Sequence, residues 1–200
     1  MNKKYSTLLI VILCLCVISF QLIFIFKIRV NRDQNQLYEP TGLQRAVLYE
    51  SFMFSNINAD KIIENILVYP RSGQPFFLCD SIYAPTLVIC VPHSTETCIT
   101  CIDDIINSVQ EVFENFSQNQ RIMILAHKDE VRLNSRVIKK PIFRYISDDW
   151  LNSFENKQNK PFYFIVDSDR KMSMFFMPNS IMRDLTTRYL TIVENKYFLQ

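Results

Sequence analysis

Apolar and polar positions along this chain fall into three kinds of pattern. Residues 8–26, LLIVILCLCVISFQLIFIF, are continuously apolar apart from Ser19 and Gln21. Two shorter runs, TLVICV at 86–91 and RIMILA at 121–126, are rich in branched side chains and lack polar alternation, which predicts strands covered on both faces. Between them Ile102, Ile105, Ile106, Val109, Val112, Phe113 and Phe116 recur every three or four positions, with Asp103, Asp104, Gln110 and Glu111 on the other side. That period predicts an amphipathic helix opening near Cys98.

The rest of the chain extends this alternation. Leu43, Val47, Leu48 and Phe52, then Ile62, Ile63, Ile66 and Leu67, fit helical spacing loosely, with Asn58 or Asp60 as a cap. In YPRSGQPFFL, Ser72-Gly73 reads as a turn between short extended pieces. A short helix is expected around residues 130–138, and Ser147-Asp148-Asp149-Trp150 reads as the cap of a helix carrying Trp150, Leu151 and Phe154. PFYFIVD and MSMFFM, joined by SDRK, predict a hairpin with Ser168-Asp169 as its turn. Beyond Pro178, Asn179 or Ser180 caps a helix whose stripe is Ile181, Leu185, Tyr189, Ile192 and Val193. The order strand, helix, strand, helix, hairpin, helix predicts an α/β domain with a mixed sheet flanked by helices.

At about 1.5 Å per residue, the run 8–26 reaches about 28 Å as a helix and spans a bilayer core. It is longer than the apolar region of a signal peptide, and no small-x-small cleavage site follows, so an uncleaved signal anchor is expected. Residues 1–30 are read as that anchor, with a transmembrane helix over about 6–28. Residues 31–68 are read as a linker and helical extension, and 69–200 as the folded domain. Lys3 and Lys4 on one side nearly balance Lys27, Arg29 and Arg32 on the other, so charge leaves the orientation open. Cys14 and Cys16 lie within the run, where cysteine behaves as a small hydrophobe; neither follows the small residues that lipidation favours.

Composition narrows the functions. The 22 basic and 20 acidic residues are interspersed, leaving no basic footprint for nucleic acid. With two glycines, Gly42 and Gly73, the chain lacks every glycine-rich phosphate loop.

The chemistry concentrates in Cys98-Ile99-Thr100-Cys101, at the expected strand-to-helix junction. There the unsatisfied amides and the helix dipole favour a thiolate, lowering a thiol pKa from about 8.5 into a range of roughly 3.5–7.5. Cys98 would attack a disulfide and Cys101, one turn further on, would resolve the mixed disulfide. A metal site needs more ligands than this pair supplies, and His93 and His127 follow different strands. A structural staple across two residues closes too short a loop to stabilise much. Cys90 inside its strand reads as a packing residue, Cys79 just before it is left open, and His93 is a proton-transfer candidate beside the pair.

With TLVICV, the Cys98–Cys101 pair opening a helix, and Lys160-Pro161-Phe162-Tyr163-Phe164-Ile165-Val166-Asp167 leading a hairpin and last helix, the chain resembles the thioredoxin-fold superfamily. More narrowly, it resembles the membrane-anchored TlpA-like thiol-disulfide oxidoreductases. The resemblance spans roughly residues 69–198. It implies a thioredoxin-like mixed sheet, a redox-active Cys98–Cys101 disulfide with no other cofactor and no metal, and a cis proline at Pro161 shaping the substrate groove with Lys160. It also implies a periplasmic or extracellular domain with the N-terminus inside. The implied partners are cysteine-containing exported proteins and a membrane electron donor or acceptor, with reduction favoured over oxidation. Thr97 stands where the family carries Trp, Ile99-Thr100 replaces the usual Gly-Pro, and TLVICV holds no acidic residue. The competing reading is a redox-inactive, membrane-tethered binding module on the same fold.

Overall fold

The computed structural model describes residues 42–93, 99–133, 138–154, 160–179 and 182–199. The apolar run 8–26, with Cys14 and Cys16, lies outside them; among the described residues no helix is long and apolar enough to cross a membrane. Residues from Gly42 onward form one compact unit.

Its helices are α1 (Gly42–Asn58), α2 (Ile99–Val112) and α3 (Arg183–Tyr197). A small antiparallel pair, β1 (Leu67–Val68) and β2 (Phe76–Phe77), turns through Gly73, whose φ of 111° suits a residue without a Cβ. The main sheet comprises β3 (Thr86–Val91), β4 (Ile122–His127), β5 (Ile142–Tyr145), β6 (Phe162–Val166) and β7 (Met172–Phe176). Its order is β5-β4-β3-β6-β7, with β3, β4 and β5 parallel and β6 and β7 antiparallel to their neighbours. This is a mixed α/β sheet flanked by helices, with the thioredoxin-like arrangement of a parallel unit followed by an antiparallel hairpin.

Every residue of β3, β4 and β6 is buried, as expected of strands covered on both sides. Alternation then sorts them. Leu87, Ile89 and Val91 of β3, Ile122 and Ile124 of β4, and Tyr163 and Ile165 of β6 pack against Ile102, Ile105, Ile106 and Val109 of α2 and Tyr189, Leu190 and Val193 of α3. Val88, Cys90, Met123, Leu125, Phe162, Phe164 and Val166 face the opposite layer, where Phe54, Ile63, Val68, Trp150, Phe154 and Phe175 meet them. Phe162 lies 5.5 Å from Phe54 and 5.6 Å from Phe154, ring centre to ring centre, in an aromatic cluster worth more than its area alone.

Several elements differ from the sequence expectation. β5 was not foreseen. The segment after Ser147 is a short 3-10 turn, Asp149–Ser153, and Ser147 Oγ does accept the Asp149 N–H at 3.1 Å. The hairpin turn is organised by Asp167, whose Oδ1 accepts the N–H of Asp169 and Lys171 at 3.0 and 2.8 Å, with Arg170 at φ 66°. On α3, Leu190 is buried and Ile192 is 56% exposed, so the inward stripe is rotated from the expected one.

Residues 60–69 form a strap. At one margin of the sheet the N–H of Met172 donates to Lys61 O at 2.8 Å, and that of Asp60 to Met172 O at 3.0 Å. At the other, Tyr69 and Arg144 exchange backbone bonds of 2.8 and 2.9 Å. Ile63 and Val68 are buried in the aromatic layer between.

Candidate functional site

β3 is the middle strand, and the chain passes from its C-terminal end through Pro92 and His93 to α2. Cys98 lies outside the described residues. Cys101 belongs to the first turn of α2, and its side chain lies outside them as well. The amphipathic period of the sequence places this helix as expected, and Tyr163 of β6 holds it by donating to Ile105 O at 2.8 Å.

The parallel register gathers chemistry-bearing residues at the same end of the sheet. His93 follows β3, His127 ends β4 and Tyr145 ends β5. The rings of His93 and His127 are 5.5 Å apart, and so are those of His127 and Tyr145. His93 is exposed, whereas His127 is buried. The Asp129 N–H donates to His127 Nδ1 at 3.2 Å, so the ring proton sits on Nε2, which donates to Ile146 O at 2.9 Å.

Next to His127 lies a buried polar cluster. The Tyr145 hydroxyl and Asp148 Oδ1 are buried with no hydrogen-bond partner at ordinary distance, and the Cys90 thiol is fully enclosed beside them. Burial, reinforced by the Asp148 charge, pushes the Cys90 thiol well above its usual value; burial does the same to the Tyr145 hydroxyl. Both stay protonated at neutral pH. TLVICV contributes no acid, as the sequence indicated; the acid nearest Cys90 comes from the loop after β5.

The loop after β4 is held by Glu130, Arg132 and Arg144. Burial alone would raise the Glu130 carboxyl, but the Arg132 side chain and N–H, then Arg132 and His93 charge, bring it below the ordinary carboxylate value. Arg132 donates to Glu130 Oε1 through Nε at 2.6 Å, and Arg144 donates to the carbonyls of His127 at 3.1 Å, Leu133 at 3.2 Å and Glu130. An arginine inside a strand flanked by Phe and Tyr was the available signal for this role.

One expectation for the opposite loop needs correction. The Lys160–Pro161 peptide bond is trans, and no cis bond occurs among the described residues. Pro161 is buried and precedes Phe162, the first β6 residue in the ladder, where a missing N–H costs no strand bond. Lys160 Nζ lies 3.4 Å from Glu50 Oε1 of α1, so its ammonium turns towards that helix. Cys79 is half-buried, its Sγ 4.0 Å from Glu64 O, and burial raises its thiol pKa. Among the described residues no group of three or more His, Cys, Asp and Glu is placed to hold a metal ion.

No family model matches the chain. No curated protein matches it either. Solved structures do. A secreted disulfide oxidoreductase of Mycobacterium tuberculosis is 12% identical with a TM-score of 0.44, over 64% of this chain and 96% of that one. The thioredoxin domain of a thiol-disulfide oxidoreductase from Bacteroides vulgatus is 14% identical with a TM-score of 0.43, over 66% and 97%. A mitochondrial 2-Cys peroxiredoxin from Plasmodium falciparum is 13% identical with a TM-score of 0.44, over 68% and 94%. Likenesses of this size assign no activity to the chain, and the fold stands on the topology above.

Proposed function

We propose that this protein is a membrane-tethered thiol-disulfide oxidoreductase acting through Cys98 and Cys101, its N-terminus inside and its domain outside the cytoplasmic membrane. The observation that supports the reading is that α2 begins at Ile99, the residue after Cys98 in the sequence, on the segment that follows the central strand; amides at a helix start favour a thiolate. In the reductive direction the Cys98 thiolate attacks a disulfide sulfur of an exported protein, and one substrate thiolate leaves and is protonated. The Cys101 thiolate then attacks Cys98 sulfur, releasing the second substrate thiol and leaving Cys98–Cys101 oxidised. Two electrons pass to the substrate, and a membrane dithiol donor restores the pair. His93, exposed beside His127 on the approach to α2, serves proton transfer, and Pro161 with Lys160 borders the groove.

Reduction of insulin disulfides by dithiothreitol, with the protein in detergent, tests this. Acceleration that is lost in Cys98→Ser supports the reading; equal rates with and without the protein leave the redox-inactive binding module standing in its place. Cys101→Ala should accumulate mixed disulfides with its substrates.

A further inference from the structure

α1 is built inside out. Its inward positions include Gln44, Ser51 and Asn58, each under 10% exposed, alongside Val47 and Phe54. Asn58 Nδ2 donates to Phe54 O at 2.9 Å and its Oδ1 accepts Lys61 Nζ at 2.9 Å, while Ser51 Oγ donates to Met177 O at 3.5 Å. The outward positions carry Leu43, Tyr49, Phe52, Met53 and Ile57, exposed by 60, 66, 64, 37 and 45%. A soluble surface helix places these sets the other way round. An aromatic and aliphatic face, with Arg45, Asn56 and the half-exposed Glu50, paired with Lys160, among it, is the composition that seats a helix at the level of lipid headgroups.

We propose that this face of α1 docks on the lipid surface of the membrane that holds the chain, setting the domain's orientation to the bilayer. The proposal rests on the anchor reading of residues 8–26. At roughly 3.4 Å per residue the chain from residue 27 to Gly42 extends at most about 50 Å, and Lys27, Arg29 and Arg32 within it suit anionic headgroups. Such a tether presents α1 to lipid at high effective concentration, so even weak intrinsic docking is occupied. α2 and α3 lie on the other side of the sheet, so docking through α1 leaves their surfaces towards solvent.

The test uses the full chain in phosphatidylcholine–phosphatidylglycerol vesicles. One indole is introduced by Phe52→Trp and another, as control, by Ile192→Trp, with the Trp150 signal of the parent subtracted. Both positions are exposed, so neither substitution disturbs the core. The expected result is blue-shifted emission from the Phe52→Trp indole, quenched at least twofold by brominated acyl chains, with red, unquenched emission from the Ile192→Trp indole. Flotation with the vesicles but red, unquenched emission at both positions overturns the docking and leaves the anchor intact. A blue shift without lipid quenching means that protein, such as a second copy, covers the face, and also overturns it. Failure to float overturns the anchor and the docking together.

Discussion

Tyr163 and Ile105 are joined by a buried hydrogen bond of 2.8 Å from the hydroxyl to the carbonyl oxygen, tying β6 to the helix that carries Cys101. Tyr163→Phe keeps the ring and removes the donor. It is expected to cost about 1 kcal/mol, lowering Tm by about 2–4 °C. Urea unfolding with an unchanged slope measures it, and a midpoint equal to that of the parent refutes the contribution.

Lys140 gives the protein an alkaline signature. Its ammonium is buried, donating to Phe116 O at 2.7 Å and Asn119 O at 2.8 Å, and burial lowers its pKa from 10.5 to about 8. Between those values the unfolded chain binds more protons than the folded one, so stability rises as pH rises through this window and is lost again as pH falls back across it to the folded pKa. Tyr145, Tyr163 and Tyr189 act oppositely: burial keeps them protonated, so above pH 10 the unfolded chain gains by ionising them. Stability should therefore climb on the order of 1–2 kcal/mol from about pH 8 to 10 and then decline. Lys140→Met should flatten the climb, as denaturant midpoints across that range will show.

Glu130 sets the acid side. Its carboxyl is held below the ordinary value by Arg132, so it contributes stability above the unfolded carboxylate pKa of about 4.5 that disappears as pH falls through the folded one. Glu130→Gln should destabilise by roughly 2–4 kcal/mol at pH 7, because Arg132 loses the carboxylate it bonds in a buried site, and by far less at pH 3. Equal losses at both pH values would contradict the ion-pair account.

The cysteines should separate by reactivity. Cys90, enclosed with its thiol pKa well raised, should resist a maleimide at pH 7 until the protein unfolds, and Cys79 should label more slowly than a free thiol. Under the proposed function Cys98 labels fastest. Peptide mapping after timed alkylation checks the order, and early modification of Cys90 would show that the core around it opens.

Removal of residues 42–69 deletes both α1 and the strap. Phe54 leaves the aromatic layer, Ile63 and Val68 leave the core, and backbone partners of β5 and β7 are lost. Since each large buried apolar side chain contributes about 2–5 kcal/mol, the remainder is expected to aggregate on expression, measured by the soluble fraction against the full-length chain.

The legible parts of this sequence are those where burial and period agree. TLVICV and RIMILA announce two-sided strands, and the spacing from Ile102 to Phe113 announces α2, because these elements take their whole environment from the core. β5 hides because four residues with Arg144 among them do not alternate; the arginine's meaning depends on loop carbonyls supplied from elsewhere in the chain. α1 shows loosely in the spacing of Leu43, Val47, Leu48 and Phe52, but its facing hides: Leu43 and Phe52 turn out to solvent, while Gln44, Ser51 and Asn58 look outward by polarity, yet bonds to carbonyls and to Lys61 help turn them inward. The cysteine pair is visible as a motif. The approach of His93 to His127 and the gathering of Tyr145, Asp148 and Cys90 need the parallel register, which no local pattern encodes.

The strap of residues 60–69 has one more consequence. By bonding to both outer strands it occupies backbone that another polypeptide could otherwise extend. Addition of a further strand to the sheet at these points is thereby disfavoured, which leaves any contact with another polypeptide there to side chains and loops, a mode that reads local surface shape instead of an extended main chain.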